Sequence, residues 1–505
     1  MDRVVLYKEK RLSKKWFDTV HLTADLKKRS VKGGVNTVFA QLLSFAMNMS
    51  STAIMGRLVA PESFGVVAMV TAFAGFVTIF KDLGFSSAIV QNKDITQKQV
   101  STLFWINSLI GLAISLIIVA LGPVLVWFYD ESRLLHITWA YALSIFVSAI
   151  ALQHHALLKR QMRFKRISFI RILATAISIV LGIVLAILDF DYWAVVAIPI
   201  SYTVASSALT WAYCDWRPSF AFDISRITSL MRFGSGITGF ELVNYLSRNL
   251  DNVLIGRQVG AVALGLYSKS YQLLMLPITQ LRAPLNTVAL PAMSTLQSQR
   301  HRYKEFYDRY VFLLAFFSMP MVVCLFVFAE ELILTVLGSQ WIEAAYIFQL
   351  LALAAFIQPV AGTRGVIMIT MGQTRKYFVW GVVNAFFTVL SYFIGINWGV
   401  TGVAISYIIV NYVLLVPSLY WGFKDTPADV YSFFKEAAYP FCFSVVSGVV
   451  CFLFKNAVGH AWSDLFVLSV GVVLGAGIYM LLWFTSKRTR KKLKIVLEIR
   501  NLVSK

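Results

Sequence analysis

Long apolar runs, each ended by a short polar or charged stretch, occupy most of this chain. A helix needs about 20 apolar residues to cross a bilayer. Runs of that order lie at approximately 33–57, 64–80, 100–122, 134–156, 167–188 and 192–214. After the polar stretch from Asp215 to Thr228 come six more, near 229–256, 261–289, 309–329, 344–369, 377–396 and 399–420. Two further runs, near 436–454 and 462–485, precede a basic tail. The pattern predicts an all-α integral membrane protein of about fourteen transmembrane helices.

The runs repeat. Displaced by 200 positions, Gly34, Leu42, Gly56, Arg57, Val59 and Gly65 fall on Gly234, Leu242, Gly256, Arg257, Val259 and Gly265 without a gap. Trp193 with Ile200, Ser201 and Tyr202 recurs as Trp398 with Ile405, Ser406 and Tyr407, 205 positions on. Self-similarity at this spacing predicts two lobes rather than a solenoid of short units. The expected division is a basic tail over 1–32, an N-terminal lobe over 33–214 and a linker over 215–228. A C-terminal lobe over 229–422, two extra spans within 435–485 and a second basic tail over 486–505 follow. With six spans each, the lobes run parallel, related by an axis along the membrane normal.

Charge orients the chain. Only 14% of residues are charged and 58% are hydrophobic, whereas soluble domains carry about 25% charged residues. Of the 46 Lys and Arg, only Arg57, Arg133, Arg257 and Lys455 fall in links after odd-numbered spans; the tails and the even-numbered links hold most of the others. By the positive-inside rule both termini, and the link around Lys159 to Arg166, are expected in the cytoplasm. The net charge of +21 does not argue for nucleic acid, because it is spread over tails and short loops rather than gathered on a folded basic domain. Within the first tail, Leu12, Trp16, Phe17 and Val20 share one helical face and Lys14, Lys15 and Asp18 the other. That pattern suits an interfacial helix on an anionic leaflet, or a disordered basic tail.

Motifs for chemistry are sparse. Gly234 to Gly239 reads GxGxxG but lacks the preceding strand and βαβ unit that a dinucleotide site needs. Small residues on a packed helix face explain it better, and Gly471 with Gly475 read the same way. There is no GxxxxGK[ST], so any pumping is secondary. His154 and His155 lack a carboxylate or cysteine at ligand spacing, and Cys214, Cys324, Cys442 and Cys451 have no paired spacing. No metal or cofactor is expected. The outer links are short and hold no acid/base constellation.

What remains is charge inside the spans: Arg171, Glu241, Arg248, Asp251, Lys269, Arg282 and Arg364. An Arg or Lys at the bilayer centre costs ~2.5 to 3.5 kcal/mol on insertion scales, which marks such residues as functional candidates. At ~1.5 Å per residue, Arg248 and Lys269 lie at similar depth in the outer half of consecutive spans. Asp251, three residues beyond Arg248, shares its helix face. Two readings stand: a structural pairing of Asp251 with Arg or Lys, or a cationic lining for an anionic cargo. In the second, Arg248 and Lys269 bind the cargo when the protein opens outward and Arg282 and Arg364 are secondary candidates when it opens inward. Arg171, Arg282 and Arg364 also lie within snorkelling reach of the cytoplasmic surface.

Several stretches carry a family resemblance: Phe64-Gly65, Asp82-Leu83-Gly84-Phe85 through Ile89-Val90-Gln91, Thr102-Leu103-Phe104-Trp105-Ile106-Asn107, Arg232-Phe233-Gly234, Leu337-Gly338-Ser339-Gln340-Trp341 and Phe348-Gln349-Leu350-Leu351. By their order and spacing the chain resembles, over about 30–480, the polysaccharide flippases of the MATE-like (multidrug/oligosaccharidyl-lipid/polysaccharide) superfamily, most closely the colanic acid exporter type. The resemblance implies a transporter rather than an enzyme, with two six-helix lobes around a central cavity. By alternating access it would move undecaprenyl-diphosphate-linked oligosaccharide across the bacterial inner membrane. It further implies that the last two spans shape a groove for the lipid tail. Membrane lipids, a coupling ion, a polysaccharide polymerase and glycosyltransferases are the partners it suggests. A cation-coupled multidrug exporter and a membrane glycan polymerase or ligase remain as alternatives, disfavoured by the fourteen runs with a cationic interior and by the short outer links.

Overall fold

The apolar runs are helices, and their exact ends follow from local chemistry. A computed structural model describes residues 16–18, 26–81, 84–92, 95–220, 245–458 and 462–493, and among these no strand occurs. In chain order the helices are α1 (Leu26–Leu58), α2 (Pro61–Thr78), α3 (Phe85–Gln91), α4 (Gln97–Tyr129), α5 (Leu134–Ala149), α6 (Leu152–Arg160), α7 (Phe164–Ile187) and α8 (Tyr192–Tyr213). Then come α9 over 245–258, α10 (Ala261–Thr295), α11 (Arg300–Val327), α12 (Ala329–Val336), α13 (Ile342–Ala361), α14 (Thr363–Thr370), α15 (Thr374–Gly395), α16 (Gly399–Val413), α17 (Leu415–Phe423), α18 (Val430–Val458) and α19 (Asp464–Trp483). α4 begins three residues before its apolar run because Thr96 and Gln99 form a capping box, with bonds of 3.3 and 3.1 Å. It stops at Asp130, which adopts a left-handed φ of 57°.

Eleven stretches of described residues are long and apolar enough to cross a membrane; the longest, Thr374–Phe423, contains α15, α16 and α17. Some runs read as unbroken from sequence are interrupted. The run over 134–156 becomes α5 and α6, and the run over 344–369 becomes α13 and α14, parted at Gly362. α16 and α17 part at Leu414, three residues before Pro417, which lacks the amide hydrogen to continue the ladder. α10 keeps going through Pro277, Pro284 and Pro291. Their seven-residue spacing puts all three on one face, so the carbonyls they leave unpaired also share a face.

The helices form two compact units, Met1–Asn249 with Gly260–Val262, and Leu250–Val259 with Ala263–Lys505. In the first, α7 packs along α1 and α8, and α4 along α5. Tyr245, at the start of α9, donates to the carbonyls of Thr71 and Ala72 on α2 at 3.2 and 3.1 Å. Near the end of α4, Arg133 bridges Glu62 and Glu131, and this holds the Glu131 carboxyl below the usual carboxylate range. In the second unit α11 is the hub, in contact with α13 and α18.

α18 and α19 belong to the core of the second unit. On α18, Phe433, Ala437, Pro440, Ser444, Ser447, Gly448 and Cys451 are buried, a helical stripe, while Phe441, Val445, Val449 and Phe452 are exposed. Trp483 packs against Phe312, Phe316, Phe443 and Tyr479, and the Tyr479 hydroxyl donates to the Phe316 carbonyl at 2.9 Å. Gly471 faces the Phe328 ring so closely that no side chain fits there, and a β carbon on Gly475 would lie 2.8 Å from Cys451 Sγ. These two glycines therefore do what their sequence suggested. Gly234 to Gly239 lie outside the described residues.

Of the first tail, the structure describes Trp16 to Asp18 and the start of α1; Leu12, Lys14, Lys15 and Val20 lie outside the described residues. Trp16 is fully buried in the first unit, in a cluster with Phe85, Ile89, Leu157 and Trp216, so its ring meets protein and not a lipid surface.

Candidate functional site

Arg282 and Arg364, 82 positions apart in sequence, are brought together at the break between α13 and α14. Two features make that break. Pro359 removes one amide donor near the end of α13, and Gly362 supplies a site with no side chain. The Arg282 guanidinium occupies that site: a β carbon on Gly362 would lie 2.5 Å from Arg282 Nη2 and 2.8 Å from its Cζ. Any larger residue would force the guanidinium to shift. On the other side of the break, Arg364 Nη1 donates to the carbonyl of Ala361 at 2.9 Å, capping the end of α13.

The short helix α14 is held rigidly. Tyr307 and Tyr303, both fully buried on α11, bond Thr363 Oγ1 at 2.9 Å and Thr370 Oγ1 at 2.6 Å. Thr363 also donates to the Val360 carbonyl at 2.7 Å. The β carbon of Arg364 rests against Gly422 of α17. Arg282 stands between Pro277 and Pro284 on α10, a helix whose ladder is already interrupted. The pair thus rests on fixed supports, which a binding site requires.

Electrostatically the pair is unfinished. The two guanidinium groups lie near enough to repel one another. Among the described residues the ion pairs are Arg133 with Glu62 and Glu131, Lys304 with Asp429, Arg309 with Glu305, Lys376 with Asp425, Lys455 with Glu330 and Glu331, and Lys492 with Glu436. Neither Arg282 nor Arg364 takes part in one. Arg282 Nε is buried and has no hydrogen-bond partner among the described residues. Two like charges with an idle buried donor, inside apolar helices, are costly alone and are relieved by an anion.

The outer candidates are arranged differently from the pairing read in the sequence. Asp251 is buried at 4% exposure. Its carboxylate accepts from Tyr267 Oη at 2.8 Å and from the Asn252 amide at 2.8 Å, and among the described residues it makes no ion pair. Arg248, on the same helix, is exposed and leaves Asp251 unneutralised. Spacing alone allowed that pair; the tyrosine, reached across a helix turn-around, takes its place. Lys269 donates to Gln272 Oε1 at 3.1 Å. Arg248 and Lys269 fall in different compact units. Arg171 is half-buried on α7, and Glu241 lies outside the described residues.

Sequence reasoning missed the tyrosines. Tyr267, Tyr271, Tyr392 and Tyr407 all lie within electrostatic reach of one another or of Asp251. Tyr392 and Tyr407 pack with ring centroids 5.8 Å apart, and Gln358 Nε2 donates to Tyr407 Oη at 2.9 Å. The one signal available was that Tyr407 belongs to the repeated Ile-Ser-Tyr.

The chain is similar to known proteins in sequence and in fold. Residues 54–346 match the profile of a family described as "Polysaccharide biosynthesis protein". The chain is 27% identical over 414 residues to the teichuronic acid biosynthesis protein TuaB of Bacillus subtilis (strain 168), covering 81% of this chain and 85% of that one. It is 25% identical over 461 residues to the succinoglycan biosynthesis transport protein ExoT of Rhizobium meliloti (strain 1021), covering 90% and 92%. Among solved structures it superposes on the lipid II flippase MurJ in an inward closed conformation with a TM-score of 0.70. That superposition has 14% identity and covers 90% of this chain and 98% of the other, a likeness of fold.

Proposed function

Because this chain belongs to the polysaccharide biosynthesis protein family, we propose that it is a flippase, carrying lipid-diphosphate-linked oligosaccharide across the cytoplasmic membrane by alternating access. It makes and breaks no covalent bond. The observation that carries the reading is the pair Arg282 and Arg364, held side by side at a helix break with no ion-pair partner among the described residues. A diphosphate supplies about two negative charges, and a low-dielectric surrounding strengthens each contact beyond its value in water. Arginine's planar fork suits phosphate oxygens better than lysine's point charge. The names of ExoT, a transport protein, and of MurJ, a flippase, agree with that cargo class. Deleting the chain from its host should strip the surface polysaccharide and leave the lipid-linked precursor on the cytoplasmic leaflet. Normal surface polysaccharide in the deletion strain contradicts the proposal.

The site set is ordered accordingly. Arg282 and Arg364 are the primary diphosphate ligands, Arg248 and Lys269 secondary cationic contacts along the route, and Asp251 a positioning residue that ties α9 to α10 through Tyr267. We further assign about fourteen spans with both termini cytoplasmic, from the charge asymmetry of the links. Labelling tests this. A cysteine at the exposed position Lys159 should react with a membrane-impermeant probe only after the cells are opened. One at Asp189, also exposed, should react in intact cells. The reverse pattern inverts the topology. Arg160, one residue on, is 5% exposed and unsuited to the test.

A further inference from the structure

Trp16, Phe17 and Asp18 are held by the kind of contacts that recognise a peptide. The Trp16 ring is fully enclosed, with the Arg163 guanidinium 4.2 Å from its centroid. Three consecutive backbone carbonyls of the segment are read. Gln161 Nε2 donates to Trp16 O at 2.9 Å and to Asp18 O at 3.0 Å, and Arg160 Nη2 donates to Phe17 O at 3.0 Å. The readers are themselves fixed. Arg160 is 5% exposed and its other terminal nitrogen donates to the carbonyls of Ile89 at 2.8 Å and Asn92 at 2.5 Å. Gln161 is 4% exposed with the segment in place, and both of its contacts to the segment run from one amide nitrogen.

The surroundings come from stretches far apart in sequence: α3 with Asn92, the start of α4 with Val100 and Leu103, the end of α6 through Arg163, and Cys214 with Trp216 after α8. We propose that this end of the first unit is a peptide-docking site whose resident ligand is the chain's own segment Trp16 to Asp18. Filled, it clasps these stretches together. Specificity comes from the enclosed indole, and grip from the carbonyl contacts. Such a two-part recognition distinguishes a docked segment from an apolar face resting on lipid, which would leave its carbonyls to water.

The proposal stands apart from any cargo, and its readouts involve no transport. Cleavage of the Lys15–Trp16 bond by trypsin requires Trp16 to leave its enclosure, so in the full-length protein in nanodiscs that bond should be cut slowly. Trp16→Ala should be cut faster at the same bond by ~10-fold or more, since cleavage follows the population of the open form. Gln161→Ala, which keeps the indole and removes two carbonyl contacts, should also be cut faster. A synthetic peptide of residues 10–22, added to the Trp16→Ala protein, should raise its unfolding temperature, and the same peptide with alanine at position 16 should not. Cleavage of both variants at the wild-type rate, or equal action of the two peptides, overturns the docking site.

Discussion

Arg282→Gln and Arg364→Gln should each lower export of the lipid-linked glycan by ~10-fold or more, and the double substitution should abolish it. A hydrogen bond to a charged group contributes about 1.5 to 3 kcal/mol, and about 1.4 kcal/mol is a factor of ten in affinity. Losing one guanidinium from a two-arginine site removes at least one such bond to the phosphates. Lysine at either position should fall between wild type and glutamine, because it keeps the charge and loses the fork. Gly362→Ala should resemble Arg282→Gln without changing any charge, since the new β carbon would claim the space of Arg282 Nη2. The diagnostic arm is stability. Among the described residues Arg282 has a buried Nε with no partner and a like charge beside it. Neutralising it should therefore leave the unfolding temperature unchanged or raise it. A structural arginine would behave oppositely, with the unfolding temperature falling and transport persisting.

Trp483→Ala should be the most damaging of the single substitutions to stability. In a membrane the apolar side chain gains little by leaving lipid, so tight packing carries the energy. Trp483 is fully buried and touches Phe312, Phe316, Phe443 and Tyr479. Removing a core aromatic costs about 3 to 5 kcal/mol where the site cannot collapse. Thermal unfolding in detergent measures this, and Phe452→Ala on the exposed face of α18 serves as the contrast, with an unfolding temperature near wild type. Equal losses for the two would mean that α19 is not part of the core. The contrast also decides how the last two helices can be tested as a groove for a polyprenyl tail. Truncation after Lys424 removes Trp483 and Tyr479 together and so tests the fold, whereas substitutions along Phe441, Val445, Val449 and Phe452 test the groove.

Hydropathy made the helices legible, since each run of apolar residues in the described part of the chain became a helix or a pair of helices. It did not show the breaks, because Gly362 and Leu414 differ little from their neighbours in apolarity while differing in what the backbone can do there. The arginine pair was visible only as two separate residues. Each lay within snorkelling distance of a surface, and only the fold brings α10 against the α13 to α14 break. Pro359 and Gly362 beside Arg364 were the local hint. Asp251 was legible as a buried charge but not its partner, since a tyrosine in an apolar run looks like any interfacial aromatic. Trp16 shows the same limit from the other side: one amphipathic pattern serves a lipid surface and a protein groove equally well, and only the carbonyl contacts tell them apart.

The central claim is that two adjacent arginines, Arg282 and Arg364, hold the diphosphate of a lipid-linked glycan while it crosses the membrane. The most direct measurement reconstitutes purified wild-type protein and the Arg282→Gln, Arg364→Gln double variant in liposomes. Each carries a fluorescent lipid-diphosphate-linked oligosaccharide in the inner leaflet, and its appearance in the outer leaflet is followed without nucleotide. The wild type should deliver it with the glycan chemically unchanged, and the double variant should match protein-free liposomes. Equal delivery by both proteins would contradict the account.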